Sequence, residues 1–264
     1  MKACMRNSDG SAAGGGKLGK IITVTSGKGG TGKTTSTAAI SSCLAALGRR
    51  TLCIDCDVGL RNLDIALGMT DYSVSDFTDV LSGATPLEEA CHEHPKIPGL
   101  FFLSAPVFLD VSDIEAGAMD ELCKSAREKF DFCLIDSPAG VGEGFSLAAR
   151  NADIVVVVAT GDHMSMRGAH RAASILADSG AGEIRLLVNR VSARRFRRLR
   201  STVDNVIDAV GAQLIGIVAE DETVVMAGAT GTPLVLYRDG RASRQFLSIA
   251  RRLTGENVPL GRFL

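Results

Sequence analysis

The chain has 264 residues, 45% of them hydrophobic, with 29 basic against 30 acidic side chains and a formal net charge of −1. That length and balance describe one large domain with ample material for a buried core, and exclude a bulk basic charge committed to nucleic acid. Neither end carries an apolar run near the roughly 20 residues needed to cross a bilayer, and no signal-peptide core follows the N-terminal charges, so the sequence reads as cytoplasmic.

Residues 1–19 are rich in Gly, Ala and Ser and read as a flexible tail, with the folded domain spanning 20–264. Lys20 to Thr25 is a short β-branched run of the kind that forms a buried parallel strand. Thr34 to Leu47 is Ala/Leu-rich, free of proline and helical in spacing. Further strands are expected near 51–55, 100–104, 131–135, 153–159, 184–188 and 214–217. Helices are expected near 113–129, 164–178, 198–210, 220–229 and 241–253. This alternation predicts an α/β three-layer sandwich, a mainly parallel twisted sheet with helices on both faces. His92-Glu93-His94 has the look of a ligand cluster, but beside Pro95 and Pro98 it reads as a solvated turn.

The seven cysteines, at 4, 43, 53, 56, 91, 123 and 133, are an odd number and sit mostly in apolar runs, so they read as buried, reduced thiols. Cys53-x-x-Cys56 has a redox or metal spacing. It lies in an apparent strand, however, and no second CxxC completes a zinc site.

Between the first strand and the first helix stands Ser26-Gly27-Lys28-Gly29-Gly30-Thr31-Gly32-Lys33-Thr34-Thr35, which satisfies GxxxxGK[ST] in full. Glycines let the backbone turn several N–H groups toward one phosphate chain, and the new helix adds its positive end. Lys33 is placed for the outer phosphates and the Thr34 hydroxyl for Mg²⁺. Ligands of such sheets bind beyond the carboxyl ends of the strands. There Asp55 and Asp57 close one strand and Asp136 another, the last in the form of a Walker B segment that delivers a carboxylate to Mg²⁺ or its waters. Asp55 or Asp57 can then hold the attacking water.

The loop with its second lysine, the run Ile54-Asp55-Cys56-Asp57-Val58-Gly59-Leu60-Arg61-Asn62-Leu63-Asp64, and Asp136-Ser137-Pro138-Ala139-Gly140 together resemble the MinD/ParA family of deviant Walker A ATPases, most closely its MinD branch. The resemblance continues through Leu187-Val188-Asn189-Arg190-Val191, Gly216 to Asp221 and Ile249 to Leu253. It implies an ATPase that dimerises on binding Mg-ATP and serves as a spatial switch in division-site placement. By motif position it implies that Gly27, Gly29, Gly30, Thr31, Gly32, Lys33, Thr34 and Thr35 cradle the phosphates. Lys28 would reach the nucleotide of the other subunit, Asp57 would orient the hydrolytic water, and Thr34, Asp55 and Asp136 would serve the magnesium. Asn189, with Arg190, would contact the adenine.

Two family features depart here. The chain ends Asn257-Val258-Pro259-Leu260-Gly261-Arg262-Phe263-Leu264, with one basic and three large apolar residues where the MinD branch carries a basic amphipathic membrane helix. Where the family carries RDxDR on the helix that meets the division inhibitor MinC, this chain has Arg167-Gly168-Ala169-His170-Arg171. One feature is added: Arg194, Arg195, Arg197, Arg198 and Arg200 crowd one short stretch, with Phe196, Leu199 and Val203 at helical spacing. They read either as a solvated face or as a contact for lipid headgroups or DNA phosphates.

The same ATPase core leaves other uses open. It fits a flagellar-number regulator, a ParA-like DNA-partition ATPase, or a nucleotide-gated adaptor with negligible turnover. A cluster-bearing ATPase would need two suitably exposed cysteines.

Overall fold

The computed structural model describes residues 18–58, 61–72, 75–107, 109, 114–237 and 239–260. Most of the tail, Gly59, Leu60 and the last four residues lie outside them. In chain order the elements are β1 (Lys20–Thr25), α1 (Lys33–Ala46), β2 (Thr51–Asp55), α2 (Leu63–Leu67), α3 (Phe77–Leu81), α4 (Leu87–Ala90), β3 (His92–Glu93), β4 (Leu100–Leu103), α5 (Ala116–Lys129) and β5 (Phe132–Asp136). They continue with α6 (Glu143–Ala149), β6 (Ile154–Ala159), α7 (His163–Asp178), β7 (Glu183–Val191), α8 (Ala193–Leu199), α9 (Val203–Val210), β8 (Gln213–Ala219), α10 (Glu222–Thr230) and α11 (Arg241–Leu253).

The strands form one sheet in the order β3-β4-β2-β5-β1-β6-β7-β8, parallel except where β3 runs against β4. Its strands are apolar on both faces because both are covered. Along β1, Ile22 and Val24 enter the core shared with α1 and α11, while Ile21 enters the core under α5. Along β6, Val156 and Val158 face the first of these cores, and Val155 and Val157 pack with α7 and α9. Helix α1 is buried almost all round, from Ser36 to Ala45. Its small residues let sheet and α11 approach from two sides, and its buried hydroxyls bond back to their own helix, as Ser42 Oγ does to the Ala38 carbonyl at 2.6 Å.

Two local readings change, and a third is sharpened. The helix expected over 198–210 is two helices: Arg200 takes a left-handed φ of 50°, and Thr202 starts α9 with a reciprocal capping box to Asn205. Phe196, Leu199 and Val203 therefore do not share one helix. His92 and Glu93 form an edge strand, and His94 is buried rather than solvated: its Nε2 lies 2.9 Å from the Leu67 carbonyl, and its Nδ1 accepts from the Lys96 and Ile97 amides. Burial holds the His94 ring below its ordinary pKa, so it is a neutral spacer in the core. Cys53 and Cys56 pack into different cores, which separates the CxxC pair. No helix among the described residues is long and apolar enough to cross a membrane.

Candidate active site

Strand β1 sits between β5 and β6, and the chain leaves it in one direction toward β2 and returns past it toward β6. Such a reversal opens a crevice beyond the carboxyl ends of the strands. The loop after β1 lies there. Register brings in the acids, since Asp136 is the partner of Val24 on one side and of Asp55 on the other.

The loop is shaped by what its glycines touch. A Cβ on Gly27 would stand 1.8 Å from the Gly168 carbonyl oxygen, so the loop and α7 meet backbone to backbone. Gly32, at φ 94°, is the N-cap of α1, and a Cβ there would meet Asn189 Nδ2 at 2.4 Å. Gly29 and Gly30 have nothing within 4 Å of a Cβ position, which leaves the crest of the loop open to a ligand.

Beneath that crest Lys33 is buried between carboxylates, with Nζ 3.4 Å from Asp136 Oδ1 and 3.6 Å from Asp57 Oδ2. Thr37 Oγ1, one turn along α1, donates to Asp136 Oδ1 at 2.9 Å. Asp136 Oδ2 is fully buried without a partner. An orphaned carboxylate oxygen is costly unless a cation or its water completes it. Burial pushes the Asp136 carboxyl upward against the pull of Lys33. Asp55 is also raised, to about 7, by burial and then by Asp136 beside it. Its two oxygens accept from the Asp57 and Leu63 amides at 2.9 and 3.2 Å, so Asp55 also shapes the turn that presents Asp57. The donor set of Thr34, Asp136 and Asp55, all oxygen and short one cation, fits Mg²⁺.

Lys28 pairs within its own chain, Nζ to Asp162 Oδ1 at 3.2 Å. Asp162 is the N-cap of α7, accepting from the Ser165 amide, and its other oxygen takes the Thr160 hydroxyl at 2.6 Å. Asn189 is buried and donates to the Thr31 carbonyl at 2.9 Å, so it braces the loop. Arg190 follows at a left-handed φ of 53°, its amide bonded to Asn189 Oδ1, with its side chain exposed. Beside them a cleft of about 390 Å³ runs from Gly32 and Thr35 past Asn189 and Arg190 to Glu220 and Val225. A larger cavity of about 730 Å³, lined by Val141, Phe145 and Ile175 among others, shares no residue with the Lys33 cluster.

Two participants escaped the sequence reading. Thr37 had the i+4 spacing from Lys33 as its signal, and Asp162 had none beyond following a strand. Cys123, on α5, and Cys133, on β5, are both buried in the core between that helix and the sheet.

Residues 22–234 match the CobQ/CobB/MinD/ParA nucleotide binding domain. The septum site-determining protein MinD of Synechocystis sp. is 35% identical over 249 residues, 94% of each chain. The MinD of the MinC:MinD cell division protein complex from Aquifex aeolicus superposes with a TM-score of 0.83 at 36% identity, covering 92% of this chain and 98% of that one. MinD of Pyrococcus horikoshii, solved with Mg-ADP, has a TM-score of 0.79 at 28% identity, with 89% and 96% covered. The chain belongs to the CobQ/CobB/MinD/ParA nucleotide-binding family, on its MinD branch.

Proposed function

We infer that the chain is a MinD-like ATPase that binds ATP with Mg²⁺ and works as a spatial switch in division-site placement. The observation that carries the reading is Lys33 held between Asp57 and Asp136 under an open glycine loop, with one Asp136 oxygen left bare. The crest from Gly27 to Gly32 offers backbone N–H groups at the start of α1, and Lys33 exchanges its carboxylate partners for the outer phosphates. Magnesium, when bound, neutralises charge on those phosphates. Thr34 and Asp136 would hold it, with Asp55 behind them. Asp57, released from Lys33, positions the water that attacks, and Asn189 with Arg190 borders the cleft that takes the base.

The switch is a homodimer formed on ATP. Lys28 leaves Asp162 and reaches the nucleotide of the other subunit, because a triphosphate enclosed between two faces gains from a cation supplied in trans. A MinC partner is known for the Aquifex relative. In this chain the corresponding stretch of α7 exposes Arg167, His170 and Arg171 and carries no acid, so a regulator that docks there must differ in charge from one that meets RDxDR.

The test is ATP turnover together with ATP-dependent mass on a sizing column, with and without lipid. Turnover with a shift from monomer to dimer is expected. No turnover and no change in mass under either condition would end the switch reading. Tight ATP binding with a mass change and negligible turnover would favour the nucleotide-gated adaptor.

A further inference from the structure

Helix α1 buries several hydroxyls, and Thr37 uses its own differently from its neighbours. Ser36 Oγ and Ser42 Oγ donate to the Gly32 and Ala38 carbonyls at 2.7 and 2.6 Å, bonds that lie along the helix. Thr37 is fully buried as well, but its Oγ1 faces two acceptors. One is the Lys33 carbonyl at 3.1 Å, one turn back; the other is Asp136 Oδ1 at 2.9 Å, at the end of β5. A hydroxyl has one proton to give, so the bond to Asp136 competes with the bond to its own helix. A threonine that had only to satisfy itself would use the Lys33 carbonyl alone, as Ser36 uses that of Gly32.

Lys33 and Thr37 stand four residues apart and therefore on one face of α1. Both meet the same oxygen, since Lys33 Nζ is 3.4 Å from Asp136 Oδ1, while Oδ2 is buried without a partner. Lys33 leaves Oδ1 when it moves to the phosphates, and Thr37 stays in the helix. The terminal torsion of an aspartate is broad and roughly two-fold, so a carboxylate without a fixed donor turns with little resistance. We propose that Thr37 is a positioning residue for the hydrolysis: its hydroxyl holds Asp136 by Oδ1 after Lys33 has left, and so keeps the bare Oδ2 turned toward the magnesium. The proposal rests on the Mg-ATP reading above and names what orients its carboxylate. Partners that fix a metal-binding carboxylate from behind are worth about 10- to 100-fold in metal affinity or activity.

The probe is a fluorescent ADP bound to the full chain, titrated with magnesium chloride from a metal-free start, with ATP turnover and thermal melts on the same preparations. Magnesium is expected to tighten nucleotide binding in the parent. Thr37→Val keeps the shape and removes the donor. Its metal-free nucleotide affinity should stay within about 2-fold of the parent, while the magnesium needed for half the tightening rises about 10-fold and kcat falls about as far at an unchanged KM. Thr37→Ser restores the donor and should restore both. In an Asp136→Asn background the valine should add no further shift, because its effect passes through the carboxylate. Thr37→Ala also lacks the donor and carries the same test if the valine chain does not fold. A parental magnesium titration in the donorless variant, an equal loss of affinity with and without magnesium, or a serine variant as impaired as the valine would each overturn the proposal. A parent whose nucleotide binding ignores magnesium would end the Mg-ATP reading and this proposal with it. A parent that responds, beside a valine variant that responds alike, would end the proposal alone.

Discussion

The Lys28 ammonium lies 3.2 Å from Asp162 Oδ1, so the lysine assigned to a second subunit is held by its own. The pair is 45% and 39% exposed, and solvent screens it to about 1 kcal/mol or less. In the proposed switch the pair would be a latch weak enough for one enclosed phosphate to open.

Asp162→Asn should therefore strengthen the ATP-dependent dimer a few-fold and no more. Asn keeps an oxygen for capping α7 and removes the charge that retains Lys28, while its amide nitrogen donates to the Thr160 hydroxyl that formerly donated to the carboxylate. Sedimentation with and without Mg-ATP reads the dimer constant. An unchanged constant would mean that the pair does not oppose dimerisation.

Lys33 and Asp57 touch, yet their variants should separate cleanly. Lys33→Met removes the phosphate cation and leaves Asp57 and Asp136 facing each other without one, so nucleotide binding should fall at least about 100-fold. Asp57→Ala should bind ATP and dimerise while turnover drops about 100-fold or more. Binding by a fluorescent nucleotide and phosphate release on the same preparations distinguish the two. Equal loss of binding in both would remove Asp57 from the hydrolytic role.

Asp55 gives the nucleotide-free protein a pH dependence. Its carboxyl is raised from 3.8 to about 7, so the folded state holds the proton more tightly than the unfolded chain. That contribution to stability is complete below about 4 and is lost as pH rises through about 7, on the order of 4 kcal/mol in all. Melting temperature without nucleotide should fall between about pH 4 and pH 7 and level off above, and Asp55→Asn should flatten the fall. Parallel pH profiles for the two proteins would contradict this.

Gly27 and Gly29 make a matched pair. Gly27→Ala drives a methyl to 1.8 Å from the Gly168 carbonyl oxygen, and since both sides are backbone the loop and α7 must separate. A loss of about 3 kcal/mol and several degrees in Tm is expected. Gly29→Ala meets nothing within 4 Å, so its stability should change by about 0.5 kcal/mol at most, and any effect should appear in nucleotide affinity. Thermal melts with and without Mg-ATP check both halves.

Sequence by itself determined what is local. Lys20–Thr25, Thr51–Asp55 and Arg241–Leu253 stand where their spacing put them, and the phosphate loop is legible because its parts are contiguous. Strand-end placement of Asp55 and Asp136 followed from apolar runs ending in an acid. Tertiary structure decided the partners. Lys28 meets Asp162 across 134 residues, and Asn189 braces Thr31 across 158. Asp136 lies beside Asp55 only because β5 enters the sheet between β1 and β2. Spacing could not break the helix at Arg200 either, since the break depends on a capping box competing with continued helix once Phe196 is buried. The physical reason is range: propensity and periodicity act over a few residues. The charge environment of Lys28, and with it the resting state of the switch, is set by strand order.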